Sequence, residues 1–134
     1  MMDMNTDVSK RTTTDLLELL LSASCQLPEK ELKMGRLSKE LGTDVIFKIR
    51  GLSFNQIDDY VKNKEDSEIN IILEGLVSPN LKDARLLQKF GAFTPAELLR
   101  DQRFLRPGEV LKLAVEIERL SGYSDNIFEE ITKN

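Results

Sequence analysis

From Ser53 to Gly122 the chain carries closely spaced helix start and stop signals, the pattern of a succession of well-punctuated helices. Each of these must bury a face against its neighbours. Ser53-x-x-Gln56 is a capping box, followed by Phe54, Ile57 and Val61 at i, i+3 and i+7 with Tyr60 beside them. Asp66 or Ser67 can cap the next helix. Its stripe of Ile69, Ile72, Leu73, Leu76 and Val77 fits the helical template at every position before Ser78-Pro79 stops it. Asp83 caps a short helix holding Leu86, Leu87 and Phe90, with Gly91 as its left-handed stop. Thr94-Pro95-Ala96-Glu97 starts another. Pro107 and Glu109 open the last long helix, whose stripe is Val110, Leu113, Ala114 and Ile117 and whose end is Ser121-Gly122.

The first half is different. Asp15 to Ala23 reads as a helix, with Leu16, Leu19, Leu20 and Ala23 at i, i+3, i+4 and i+7, while Leu17 and Leu21 widen the apolar face beyond one core contact. Such a helix either sits deep in the fold or docks on something else. Between Glu31 and Gly51 the period shifts to two: Leu32 and Met34, then Val45, Phe47 and Ile49 alternating with Lys48 and Arg50. Two strands of a hairpin are expected, their connection holding one helical turn closed by Gly42. The fold class is therefore α+β and predominantly helical, about six helices around a small two-stranded hairpin at residues 31–51. Residues 1–13 read as a flexible tail and 14–124 as a single domain. Residues 125–134 form a C-terminal tail with a small amphipathic piece, Ile127, Phe128 and Ile131.

Composition narrows the chemistry. The chain has no His, no Trp and a single Cys, Cys25. Histidine-activated nucleophiles, an intrachain disulfide and a Cys-rich zinc site are thus all out of reach. The glycines form no phosphate-cradling loop, and the carboxylate pairs Asp58-Asp59 and Glu129-Glu130 diverge by about 100° on a helix, which suits solvated faces better than a catalytic dyad. Glu65, Asp66 and Glu68 lack the spacing of a calcium loop, Cys25 has no nearby cations to activate it, and Tyr60 and Tyr123 have no visible base. The expectation is a non-enzyme without cofactor or metal. No apolar run is long enough to span a bilayer.

One segment favours a macromolecular partner. Lys82, Arg85, Lys89, Arg100, Arg103 and Arg106 face only Asp83, Glu97 and Asp101 between residues 82 and 106, a surplus of three positive charges in a chain of net charge −4. The two short helices joined through Gly91–Thr94 resemble a helix-turn-helix, so a small DNA-binding regulator is one reading. The scarcity of base-reading donors on the second helix argues against it.

From Ile69 onward the words I-x-x-x-x-E-G-L-V-S-P-N-L-K-D, K-F-G-A-F-T-P-A-E-L-L, L-R-P-G-E-V-L-K-L and I-x-x-L-S-G-Y follow in order. This sequence resembles the XkdN-like phage tail assembly chaperone family. The hairpin word F-K-I-R-G-L-S and the early Leu-rich helix extend the resemblance over residues 14–124. It implies a non-catalytic factor, found in phages and prophages, that binds the tape-measure protein, keeps it soluble and assists assembly of the tail tube. The tail tube protein is then a secondary partner and self-association a further possibility. It also implies a site in the host cytoplasm and absence from the mature virion, a structural tail component being the rival reading. A tape measure is a long helical chain with apolar stripes, which an amphipathic helix can shield. The expected contacts are Leu16, Leu17, Leu20 and Leu21, with Ile127, Phe128 and Ile131 contributing or self-associating.

Overall fold

A computed structural model describes residues 13–24, 26–62, 65–123 and 130–131. The elements run α1 (Thr13–Ser22), β1 (Glu29–Lys33), α2 (Gly35–Leu41), β2 (Ile46–Arg50), α3 (Phe54–Lys62), α4 (Ser67–Gly75), β3 (Leu76–Ser78), α5 (Ala84–Phe90), α6 (Pro95–Leu99) and α7 (Pro107–Leu120). Among the described residues there are thus seven helices and a three-stranded antiparallel sheet of order β1-β2-β3. The helix-dominated α+β class holds, with one helix and one strand more than expected. The expectations for the N-terminal tail, Cys25, Ile127 and Phe128 lie outside the described residues.

β2 is the middle strand. Phe47 and Ile49 are buried while Ile46, Lys48 and Arg50 face outward, the alternation that its sequence carries. β1 pairs with it from Glu29↔Arg50 to Lys33↔Ile46. Between them the chain turns through α2, which Gly42 closes in the left-handed conformation at φ 73°. Met34 was expected in the strand. It instead precedes α2, where its side chain is buried, and its N–H donates to the Val45 carbonyl (2.8 Å). Ser38 is buried, and its hydroxyl accepts the Val45 N–H (2.9 Å), so that this inward-facing backbone donor has a partner.

The extra strand comes from what reads in sequence as the end of α4. Leu76 and Val77 fit the helical stripe, yet the helix ends at Gly75 and both residues continue as β3, Ile49 pairing with Leu76 and Lys48 with Ser78 across a bulge. Ser78 precedes a proline, which disfavours helical backbone there. β2 has a free edge that an extended chain can satisfy. A second correction concerns Phe54, which caps no core: it sits on the first turn of α3 at 77% exposure, and the described contact of that helix runs through Ile57 and Tyr60. Asp66 occupies the N-cap position of α4 without capping it: its backbone is left-handed at φ 62° rather than extended, and its side chain pairs with Arg100.

The capping signals otherwise hold. Ser53 and Gln56 exchange their hydrogen bonds (2.9 and 3.3 Å), Asp83 accepts from the Arg85 N–H, Gly91 is left-handed, and Thr94 accepts from the Glu97 N–H. The α7 stripe of Val110, Leu113, Ala114 and Ile117 is buried throughout, against α4 and the inner face of β2. Ile49, Ile72, Leu98, Leu99, Leu105 and Ile117 form its fully buried centre.

Two glycines permit this packing. A Cβ on Gly75 would stand 2.6 Å from Ile117 Cγ2, and one on Gly51 would stand 2.6 Å from the Leu120 carbonyl oxygen. Gly75→Ala should therefore destabilise the domain by about 1–3 kcal/mol through overpacking. Ile117→Ala should cost about 2–5 kcal/mol alone and measurably less in the Gly75→Ala background, because the new methyl then has room. Urea unfolding of the four variants of this cycle checks it; strict additivity would refute the close contact.

Candidate partner-binding surface

α1 is a helix without a described covering element. Every residue from 15 to 24 is exposed, and Leu16, Leu17, Leu19, Leu20 and Leu21 range from 52% to 76% exposure. At about 100° per residue these leucines occupy an arc of about 200°, with Asp15 and Glu18 on the remaining edge. A helix of ten residues is marginal on its own in water. Burying each leucine would contribute about 1.5–3 kcal/mol, so this surface has a strong tendency to be covered. Of the two possibilities that the sequence raised, burial within the fold is excluded for α1. Ile131 is also exposed.

A second feature is a groove of about 470 Å³ between the β1–α2 junction and the first half of α7. Leu32, Met34 and Leu113 form its floor, and Lys33, Arg106 and Lys112 stand on its rim. Beside it lies the main polar tie of the fold. Arg36 donates from Nε and Nη2 to the two carboxylate oxygens of Glu109 (3.0 and 2.9 Å), from Nη2 to the Phe104 carbonyl (2.9 Å) and from Nη1 to Glu40 (2.8 Å). Glu109 also accepts the Arg106 N–H (2.7 Å), which satisfies the start of α7. The Arg36 guanidinium, with that N–H, holds the Glu109 carboxyl below its ordinary range against the opposing effect of partial burial.

The basic segment does not assemble into a reading head. α6 has five residues and buries Leu98 and Leu99, so the second helix of the apparent helix-turn-helix is committed to the core. Arg100 pairs with Asp66, and Arg106 donates to the Gln102 carbonyl (2.7 Å). Arg103 pairs with Asp101, donates to the Phe90 carbonyl (2.9 Å) and lies 5.6 Å over the Phe90 ring. Phe90 in turn meets Phe104 at 5.6 Å. Arg85 folds back onto Asp83 and holds that carboxyl at about 2. Lys82 and Lys89 are exposed. Most of these cations thus stitch turns together, and the surplus charge is a by-product of turn building. Tyr60 is pushed up to about 12 by burial and by the neighbouring Glu74. A phenol so placed stays protonated at neutral pH.

Sequence reading missed two exposed apolar features. Phe93, in the turn between α5 and α6, is 89% exposed. Leu111 and Val115 lie at i and i+4 on the outer side of α7, legible as the apolar pair left over once its buried stripe is subtracted. Among the described residues no helix is long and apolar enough to cross a membrane, and no three metal-ligating side chains cluster.

The sequence model of the phage XkdN-like tail assembly chaperone family matches residues 60–133, more than half of the chain. The match begins near the end of α3 and includes all of α4 to α7. The crystal structure of the protein yqbn has a TM-score of 0.60 at 20% sequence identity, covering 75% of this chain and 90% of that one. At that identity the likeness shows a shared fold. No curated protein matches the chain.

Because the folded-state carboxyl of Glu109 titrates below its unfolded value, the Arg36–Glu109 tie contributes stability that is present above the ordinary carboxylate pKa of about 4.3. That contribution is lost as pH falls through the lower, folded-state pKa. Glu109→Gln should cost about 1–3 kcal/mol at pH 7, since it weakens a charge-assisted bidentate pair. The gap between wild type and variant should shrink as pH is lowered from 5 toward 3. Urea unfolding across that range checks it, and a gap independent of pH would show that the charge is not what matters.

Proposed function

This chain belongs to the phage XkdN-like tail assembly chaperone family, and from that premise we propose that it binds the phage tape-measure protein, keeps it soluble and assists assembly of the tail tube around it. Membership carries a role in phage tail assembly with protein partners. The tape measure as that partner, the tail tube protein as a secondary one, action in the host cytoplasm and absence from the mature virion belong to the proposal.

The observation that supports it is the bare leucine arc of α1. Leu16, Leu17, Leu20 and Leu21 form an apolar face on a helix that its own domain does not cover, and an amphipathic stripe on a long helical partner is the complementary surface. Ile131 is exposed, and Ile127, Phe128 and Ile131 belong to the proposed surface by their sequence pattern. The chain just before β1 and the end of α7 meet at the loop after β2: the Pro28 carbonyl accepts the Gly51 N–H (2.9 Å), and the Ser121 hydroxyl accepts the Leu52 N–H (2.8 Å). Shielding a partner in this way needs binding area and reversibility, and no group has to transfer a proton or an electron pair.

Co-expression with the tape-measure protein of the same phage should yield a soluble complex that co-purifies. Leu17→Asp and Leu21→Asp should lower the co-purified yield by roughly tenfold or more. Both side chains are exposed, so the unfolding midpoint of the free protein should barely change. Full retention of the complex in both variants would sink the assignment of this surface. An insoluble tape measure in the presence of wild-type protein would sink the partner. Finding the chain by mass spectrometry in purified tails would favour the structural-component reading instead.

A further inference from the structure

Every described helix except α1 gives side chains to the core or to the layer packed on it: Leu37 from α2, Ile57 from α3, Ile72 from α4, Leu87 from α5, Leu98 from α6 and Ile117 from α7. α1 gives none. Residues 15–24 are exposed throughout, and so are residues 26–28 after them. Among the described residues, the hydrogen bonds of this stretch outside the helix ladder stay within it: the Ser22 hydroxyl donates to the Leu19 carbonyl (3.1 Å) and the Ala23 N–H to the Leu20 carbonyl (3.4 Å). The chain is first hydrogen-bonded to the rest of the described domain at Pro28, whose carbonyl accepts the Gly51 N–H.

α1 therefore stands on the helix-forming strength of its own ten residues. Isolated helices shorter than about 12–15 residues are marginal in water even when rich in alanine. This one opens on Thr13, Thr14 and Asp15, all weak helix formers, and has no cation in its last turn to offset the helix dipole. The leucine period selects a helix over other structure, and burial decides how much of that helix forms. Exposed leucine pairs along one face contribute little by themselves.

We infer that in the free protein α1 is helical only in a minority of molecules and folds as its leucine face is covered, so that the helix propensity of residues 13–22 sets the affinity for whatever covers it. Thr13–Ser22 as described is the helical form of this equilibrium. When the binding form is populated at a fraction f, the apparent dissociation constant rises by 1/f. A change in propensity thus passes in full into affinity while the helix is a minority, and vanishes from it once the helix is already formed. The inference rests on the tape-measure reading only for the partner used in the second of its two tests.

The first test is amide hydrogen exchange of the full chain without a partner. The amides of Leu17 to Ser22 should exchange within about twofold of the unfolded-chain rate, while those of Leu113 and Ile117 in the buried stripe of α7 should be slowed by orders of magnitude. Protection of α1 beyond about twofold would put the helix in the majority and overturn the inference. The second test compares Glu18→Ala with Glu18→Gly. Glu18 is exposed, both substitutions remove its carboxylate, and they differ in helix propensity; Asp15, which has an interaction of its own, stays unaltered. Glu18→Gly should bind the tape-measure protein about fivefold more weakly than Glu18→Ala, with the same unfolding midpoint for the free domain. Equal affinities, or a lower midpoint in Glu18→Gly alone, would overturn the inference as well. A wild-type chain that binds no tape measure sinks the partner instead, and the exchange measurement then decides this inference by itself.

Discussion

The fold depends on how closely α4 can lie against α7. Gly75 faces Ile117 with no space for even a methyl group, and that approach brings Ile72 and Ile117 into one fully buried centre with Ile49 of the sheet. At this separation the end of α4 emerges beside the free edge of β2, and the next three residues pair there as β3. A side chain at position 75 would separate the helices and move the origin of the third strand. The Gly51–Leu120 contact adds a second close approach at the same end of α7, where the loop after β2 passes against the last turn of the helix.

Polar ties then fix what apolar packing alone leaves free to slide. The Arg36–Glu109 pair joins α2 to the start of α7, and Arg36 reaches the Phe104 carbonyl as well. The pair is only partly exposed, so its hydrogen bonds count for more than those of a surface ion pair. Asp66–Arg100 and the Arg103–Phe90–Phe104 group bind the short helices α5 and α6 to the turns around them. These helices have few buried residues of their own: α5 has none and α6 has Leu98 and Leu99. The arginines that make the segment basic are the groups that hold it in place.

A molecule so thoroughly tied in its centre contrasts with its bare α1. Five leucines on ten residues are far more apolar area than a solvated helix needs. Most of the covered core lies within the family match, and the uncovered helix lies before it. Under the proposed function, the core is the stable platform and α1 the apolar area that meets the partner.

Much of this was legible in the residues. Caps at Ser53, Asp83 and Thr94, stops at Gly42 and Gly91, the alternation in β2 and the stripe of α7 are local signals, set by backbone sterics and by hydrogen bonds within a few residues, and they appear where the sequence places them. The order of words after Ile69 likewise pointed to the family. The fate of Leu76 and Val77 was not legible, because a helical stripe and a short strand can share the same apolar residues and only the free edge of β2 decides between them. Nor was the exposure of Phe54, or the pairing of Arg100 and Arg103 with acids, since both depend on which neighbours the fold brings near. The sequence by itself determined the helices, their ends and the surplus of leucine on α1. Only the tertiary structure decided that this surplus lies outside the core, because burial is a property of assembled surfaces and no single segment carries it.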